Sequence, residues 1–149
     1  MANSETLRDL IRINNDRVTG YSKAATQTDE QDLQSLFSQL AQQSRQFASD
    51  LRRLISANDK DVTDETTTAG KIYRAWMDVK ATFTGKDRTS ILASCEYGED
   101  VAVNTYENVL EDKSSELTPD QLTMVSKQYA TIKADHDKVR AMRDALVDA

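Results

Sequence analysis

Helix breakers are scarce in this chain: four glycines and one proline stand among 149 residues. An all-β fold needs many turns, and turns draw on those residues, so the scarcity argues against it and favours a few long helices. No apolar run approaches the roughly 20 residues that cross a bilayer, and no membrane partner is expected. The opening Met1-Ala2-Asn3-Ser4-Glu5 has neither a basic nor an apolar stretch, so it does not read as a signal peptide. Cys95 is the lone cysteine and cannot form an internal disulfide; it fits a reducing compartment, most simply the cytoplasm. Basic charge is short as well. The formal net charge is -6, and the nearest thing to a basic cluster is Arg52-Arg53. Binding to phosphates needs more than that, so nucleic acid is not expected as a partner. The chain also holds no glycine-rich phosphate loop, Ser-His-Asp set or paired-cysteine zinc motif.

What is present is helical periodicity. The first stripe reads Leu7, Ile11, Val18, Tyr21 and Ala25, widened by Leu10 and Ala24. The second reads Leu33, Phe37, Leu40, Phe47, Leu51 and Leu54. The third carries Ile91, Leu92, Cys95, Ala102, Val103, Tyr106, Val109 and Leu110. The fourth opens on the clearest start signal: Thr118 as N-cap, Pro119 as first helical residue, and Gln121 completing a capping box. Its stripe is Leu122, Val125, Tyr129, Ile132, Val139 and Leu146. Helices are thus predicted over about 4–27, 30–56, 87–111 and 119–147, in a single domain over 1–149. A shorter amphipathic helix over about 71–84, with Ile72, Trp76, Val79 and Phe83 on one face, lies in the long connection between the second and third. Antiparallel neighbours need only short loops, whereas a connection that long can travel the length of a bundle and join parallel helices. The expected fold is all-α: an antiparallel four-helix bundle with a helix-containing crossover between helices 2 and 3. A plain up-down bundle with a decorated loop is the alternative.

Each long helix carries a polar residue where its apolar stripe should continue. These are Asn14 between Ile11 and Val18, Ser44 between Leu40 and Phe47, Glu99 on the face of Cys95 and Tyr106, and His136 between Ile132 and Val139. Gln43, Glu96 and Asp135 flank them. All four lie near the midpoints of their helices, and midpoints of similar helices meet at one level. A single polar layer across the core is therefore expected, in which a charged Glu99 needs a partner, a proton or a metal ion. Tyr21, Tyr106 and Tyr129 are expected to lend their hydroxyls to that layer. Cys95, on the core face of an acidic helix, is expected to be unreactive.

At this point the chain resembles a family of bacterial ferritin-like proteins classed as a domain of unknown function. The resembling stretches are Ile13-Asn14-Asn15-Asp16-Arg17 leading to Gly20-Tyr21, Gln43-Ser44-Arg45-Gln46-Phe47, and Gly70-Lys71 to Trp76-Met77. They continue through Cys95-Glu96-Tyr97-Gly98-Glu99-Asp100, then Lys133 to His136 and Arg140 to Asp144. The resemblance implies a ferritin-like bundle and, through that kinship alone, a stress-related role. Di-iron members of the wider superfamily place a Glu on each of two helices and a Glu-x-x-His pair on each of the other two. Here Asn14 stands at the first Glu place, Ser44 and Phe47 at the second pair, Glu99 or Glu96 at the third, and Lys133 and His136 at the fourth. The usual di-iron ferroxidase centre is therefore not expected.

Two functions follow from this pattern. One is a non-catalytic bundle without a cofactor, acting by self-association or through a protein partner. The other is a divalent-metal or redox protein in which Glu96, Glu99 and His136, with Asn14, hold one Zn²⁺ or iron ion, imidazole and carboxylate being suited to such metals. A carrier of lipids or small molecules rests on analogy of fold alone.

Overall fold

The computed structural model describes residues 4–55 and 88–147. Among them are four long helices and no strand: α1 (Ser4–Gln27), α2 (Gln31–Leu54), α3 (Arg88–Asp112) and α4 (Pro119–Val147), with a short 3-10 turn at Ser114–Glu116. The crossover helix expected over about 71–84 lies outside the described residues. No helix among the described residues is long and apolar enough to cross a membrane.

Side-chain contacts fix the direction of each helix. Thr6 Oγ1 donates to Glu116 Oε1 near the end of α3, and Asn14 Nδ2 donates to the Tyr106 hydroxyl, so α1 and α3 run in opposite directions. Gln121 Nε2 donates to the Leu54 carbonyl and Gln128 Nε2 to the Phe47 carbonyl, so α2 and α4 are opposed too. Short links oppose α1 to α2 and α3 to α4. Arg88, at the start of α3, reaches Glu30 and Asp32 at the start of α2. These two helices therefore begin at the same end, and Ile55 and Arg88 lie at opposite ends of the bundle.

Helix ends follow local chemistry. The capping box expected at the start of α4 is present: Thr118 N–H donates to Gln121 Oε1 at 3.0 Å, and Gln121 N–H donates to Thr118 Oγ1 at 3.2 Å. The spare amide of Gln121 ties this start to the end of α2. At the start of α2 it is Thr28 Oγ1 that accepts from Glu30 N–H, at 3.1 Å, with Asp32 in the first turn where the helix dipole favours an acid.

The core is a seam with a spacing near 3.5 residues, the coiled-coil interval. On α1 it is Leu7, Leu10, Asn14, Arg17, Tyr21 and Ala24, all buried. On α2 it is Leu33, Phe37, Leu40, Ser44 and Leu51, and on α3 it is Leu92, Cys95, Glu99, Ala102, Tyr106 and Val109. Val125, Gln128, Ile132 and Val139 complete it from α4. On α1 an expected core position gives way: Val18 is only half-buried, and its neighbour Arg17 is fully buried in its place.

Candidate metal centre

The single polar layer expected from the helix midpoints is divided in the structure into two interior levels and one seam at the α3–α4 surface. At the first level, Asn14 Nδ2 donates to the Tyr106 hydroxyl at 2.8 Å, which donates to Gln128 Oε1 at 2.7 Å. Gln128 passes the chain to the Phe47 carbonyl at 3.2 Å. Tyr106 so joins the polar groups, as expected, and burial pushes its hydroxyl well above the ordinary phenol range.

The second level is built around Arg17. Its Nε donates to Glu99 Oε1 at 2.6 Å and its Nη2 to Glu99 Oε2 at 3.0 Å, a two-pronged pair with both side chains fully buried. Nη1 donates to Ser44 Oγ at 2.6 Å and to Gln43 Oε1 at 3.3 Å. Nη2 also lies 3.6 Å from Asp135 Oδ2. Every N–H of the guanidinium thus has an oxygen to face, the condition under which a buried charge is tolerable. Beneath it lies the Tyr21 ring, its centroid 5.5 Å from the guanidinium carbon, stacked in turn on Phe37. Burial raises the Glu99 carboxyl above its usual value, with the guanidinium opposing the rise; burial likewise raises Asp135.

A di-iron centre does not fit this interior. The level at which superfamily members would gather carboxylates around cations holds a permanent cation of its own. Glu99 is spent on Arg17, and Ser44 and Asn14 are neutral groups already engaged. Lys133 points to the surface, where its ammonium pairs with Asp137 at 3.0 Å.

The seam is different. Glu96 on α3, the next-turn Asp100, and His136 on α4 bring one ligand atom each within 4.8 Å of one another. The spacing Glu96–Asp100 puts both carboxylates on one face of α3. His136 Nε2 meets Asp100 Oδ1, and Nδ1 lies 3.1 Å from Asp137 Oδ1. His136 and Glu96 are buried, whereas Asp100 is 52% exposed and can move, which leaves a path from solvent. Arg143 is paired with Glu96, and Arg140 Nε stands 4.0 Å from Glu96 Oε1.

Of the four residues expected to hold a metal, the structure brings Glu96 and His136 together, joins Glu99 to Ser44 through Arg17, and sends Asn14 to Tyr106 one turn away. Two residues escaped the sequence reading. Asp100 was not among the expected site residues, although it lies four residues after Glu96 and meets the chain's single histidine. Arg17 was missed because the stripe of α1 was drawn through Val18, its neighbour.

Burial works against charging His136, but hydrogen bonds to Asp137 and Asp100 outweigh it, and the ring's pKa is raised above 6.5. With the folded value above the unfolded one, protonated His136 stabilises the cation-free protein fully below about pH 6.5, and that contribution fades as pH rises through the folded value. In chelator-treated buffer, His136→Gln should flatten the fall in denaturation midpoint as pH rises above about 6.5; a wild-type slope in the variant would contradict it.

Cys95 is fully buried beside Glu99, and burial, then that carboxylate, push its thiol well above the ordinary range. Its alkylation in native protein should be at least about a hundredfold slower than in urea, followed by mass spectrometry.

The class of molecule is now defined: among the described residues, four long helices enclose a buried arginine–glutamate pair and carry a carboxylate–imidazole cluster outside it. The chain belongs to the family described as Domain of unknown function (DUF2383), whose model matches residues 2–112. That match takes in α1 to α3, with Arg17, Ser44, Glu96, Glu99 and Asp100; His136 lies beyond it. No curated protein matches the chain.

Proposed function

We propose that this chain is a ferritin-like bundle without ferroxidase chemistry that binds one divalent cation, Zn²⁺ or Fe²⁺, at Glu96, Asp100 and His136. The observation that carries the reading is the convergence of three ligand atoms of the right chemistry from two helices, within 4.8 Å. Such an ion takes oxygen and nitrogen donors at about 2.0–2.2 Å, so the three side chains must draw in slightly, and exposed Asp100 is free to do so. Asp137 supplies the usual outer partner: a carboxylate accepting from Nδ1–H leaves the Nε2 lone pair aimed at the cluster. The cation would replace the proton that His136 shares with Asp100.

The ferritin-like part is supported by the path of the chain, since α2 and α3 start at the same end, as a long crossover between them requires. Against oxidation chemistry of the di-iron kind stands the guanidinium of Arg17 in the middle of the bundle, which repels a second cation. Three protein ligands leave positions for water on the ion, which suits reversible binding as well as it suits a structural clip.

Elemental analysis of protein as isolated, with calorimetric titration of chelator-treated protein by Zn²⁺ and by Fe²⁺ under nitrogen, tests the reading. One equivalent bound per chain is expected. Metal-free protein that also fails to take up either ion in titration would sink it.

A further inference from the structure

We infer that Arg143 is a built-in competitor of the cation at the Glu96–Asp100–His136 centre and thereby sets its affinity. The inference rests on the cation-binding reading above. Glu96 is the only buried carboxylate of the cluster, so it is the donor whose charge is least screened by water and most valuable to an ion. That same carboxylate already faces a cation, because Arg143 Nη1 is ion-paired with Glu96 Oε2, an oxygen that accepts no hydrogen bond. Arg143 follows His136 by seven residues, which places both on the same side of α4, Arg143 facing Glu96 and His136 facing Asp100 on successive turns of α3. The guanidinium and the cluster therefore share one carboxylate from opposite sides.

Two routes lead to the same effect. If the ion takes Glu96 outright, Arg143 must leave it. If the ion takes the other oxygen, a guanidinium remains within a few ångströms of a divalent charge and repels it. Departure is not costly for the arginine: its Nη2 already donates to Asp144 Oδ1 at 3.0 Å, and the side chain is 30% exposed, so an acceptor and water are at hand. Arg140 is placed otherwise. Its Nε is 4.0 Å from Glu96 Oε1 and 3.9 Å from Asp144 Oδ2, and it is 60% exposed, so its charge is screened. The consequence is a centre in which the Arg143–Glu96 ion pair holds the carboxylate at low cation concentration and gives it up when the cation arrives.

The test is calorimetric titration of chelator-treated full-length chain with Zn²⁺, for wild type, Arg143→Met, Arg140→Met, and Glu96→Gln with and without Arg143→Met, each checked for helicity by circular dichroism. Arg143→Met is expected to tighten binding about tenfold or more, because it removes both the competitor and the repulsion. Arg140→Met should change affinity by less than about twofold. In the Glu96→Gln background the gain from Arg143→Met should vanish. Wild-type or weaker affinity in Arg143→Met overturns the inference and leaves the cation reading standing, since it would mean that the arginine positions Glu96 for the ion. A gain that persists without the Glu96 charge also overturns it. Absence of binding in wild type removes the cation reading and the inference together.

Discussion

Arg17→Met is expected to lower the stability of the folded chain by about 3–5 kcal/mol, measured as a shift in urea midpoint at unchanged slope. The cost is not the loss of an attractive pair as such. It is the charge left behind: Glu99 is fully buried and its oxygens are oriented to the guanidinium at 2.6 and 3.0 Å. Since domains of this size are stable by about 5–15 kcal/mol, such a loss is a large part of the total. Removing the second charge should return most of it. The double variant Arg17→Met, Glu99→Gln is expected to be more stable than Arg17→Met alone, because a neutral amide costs far less to bury than a carboxylate. If Arg17→Met proves as stable as wild type, the pair is not the closed interior unit described above.

His136→Ala is expected to weaken Zn²⁺ binding by at least about a hundredfold, because loss of even an outer partner of a metal ligand costs about 10–100-fold. His136 supplies the only nitrogen in the cluster and the only ligand from α4, so its loss leaves two carboxylates on one helix face, an arrangement common on solvated helices that bind nothing. Glu99→Gln, in contrast, should leave the affinity within about twofold of wild type, its carboxylate being turned to Arg17. Titration of both variants separates an ion at the seam from an ion in the core. Equal losses in the two would return the site to the bundle interior.

The contrast between these variants also shows what was legible in the residues. The positions of the four described helices were, because apolar spacing, the Thr118–Gln121 cap and the shortage of breakers all point the same way. That polar groups sit inside was legible too, from Asn14, Ser44, Glu99 and His136 at core positions. Their sorting was not. A stripe drawn at about 3.6 residues per turn carries α1 from Asn14 to Val18, whereas the seam spaced at about 3.5 carries it to Arg17. Extending Leu7, Leu10 and Asn14 at the shorter interval would have put a guanidinium in the core and identified its partner as the one glutamate on the facing seam. Asp100 gives no such signal, since an acid at the surface of an acidic helix looks the same whether or not a histidine from another helix is folded against it. Midpoint matching placed His136 at the right height but could not tell which neighbour its ring would face; a single residue of rotation separates Asp135, turned toward Arg17, from His136, turned toward Asp100.

The Arg17–Glu99 pair has a consequence for how the helices find their alignment. Slipping α3 along α1 by one heptad still sets the seam positions of one helix against those of the other, so the heptad spacing alone does not fix the alignment. The charged groups do not allow it. In either direction the guanidinium would face Leu92 or Tyr106 in place of Glu99, and a bare buried cation costs several kcal/mol. One misaligned docking would thus be penalised more heavily than the correct one is rewarded, which makes the pair a key cut for a single position of the lock.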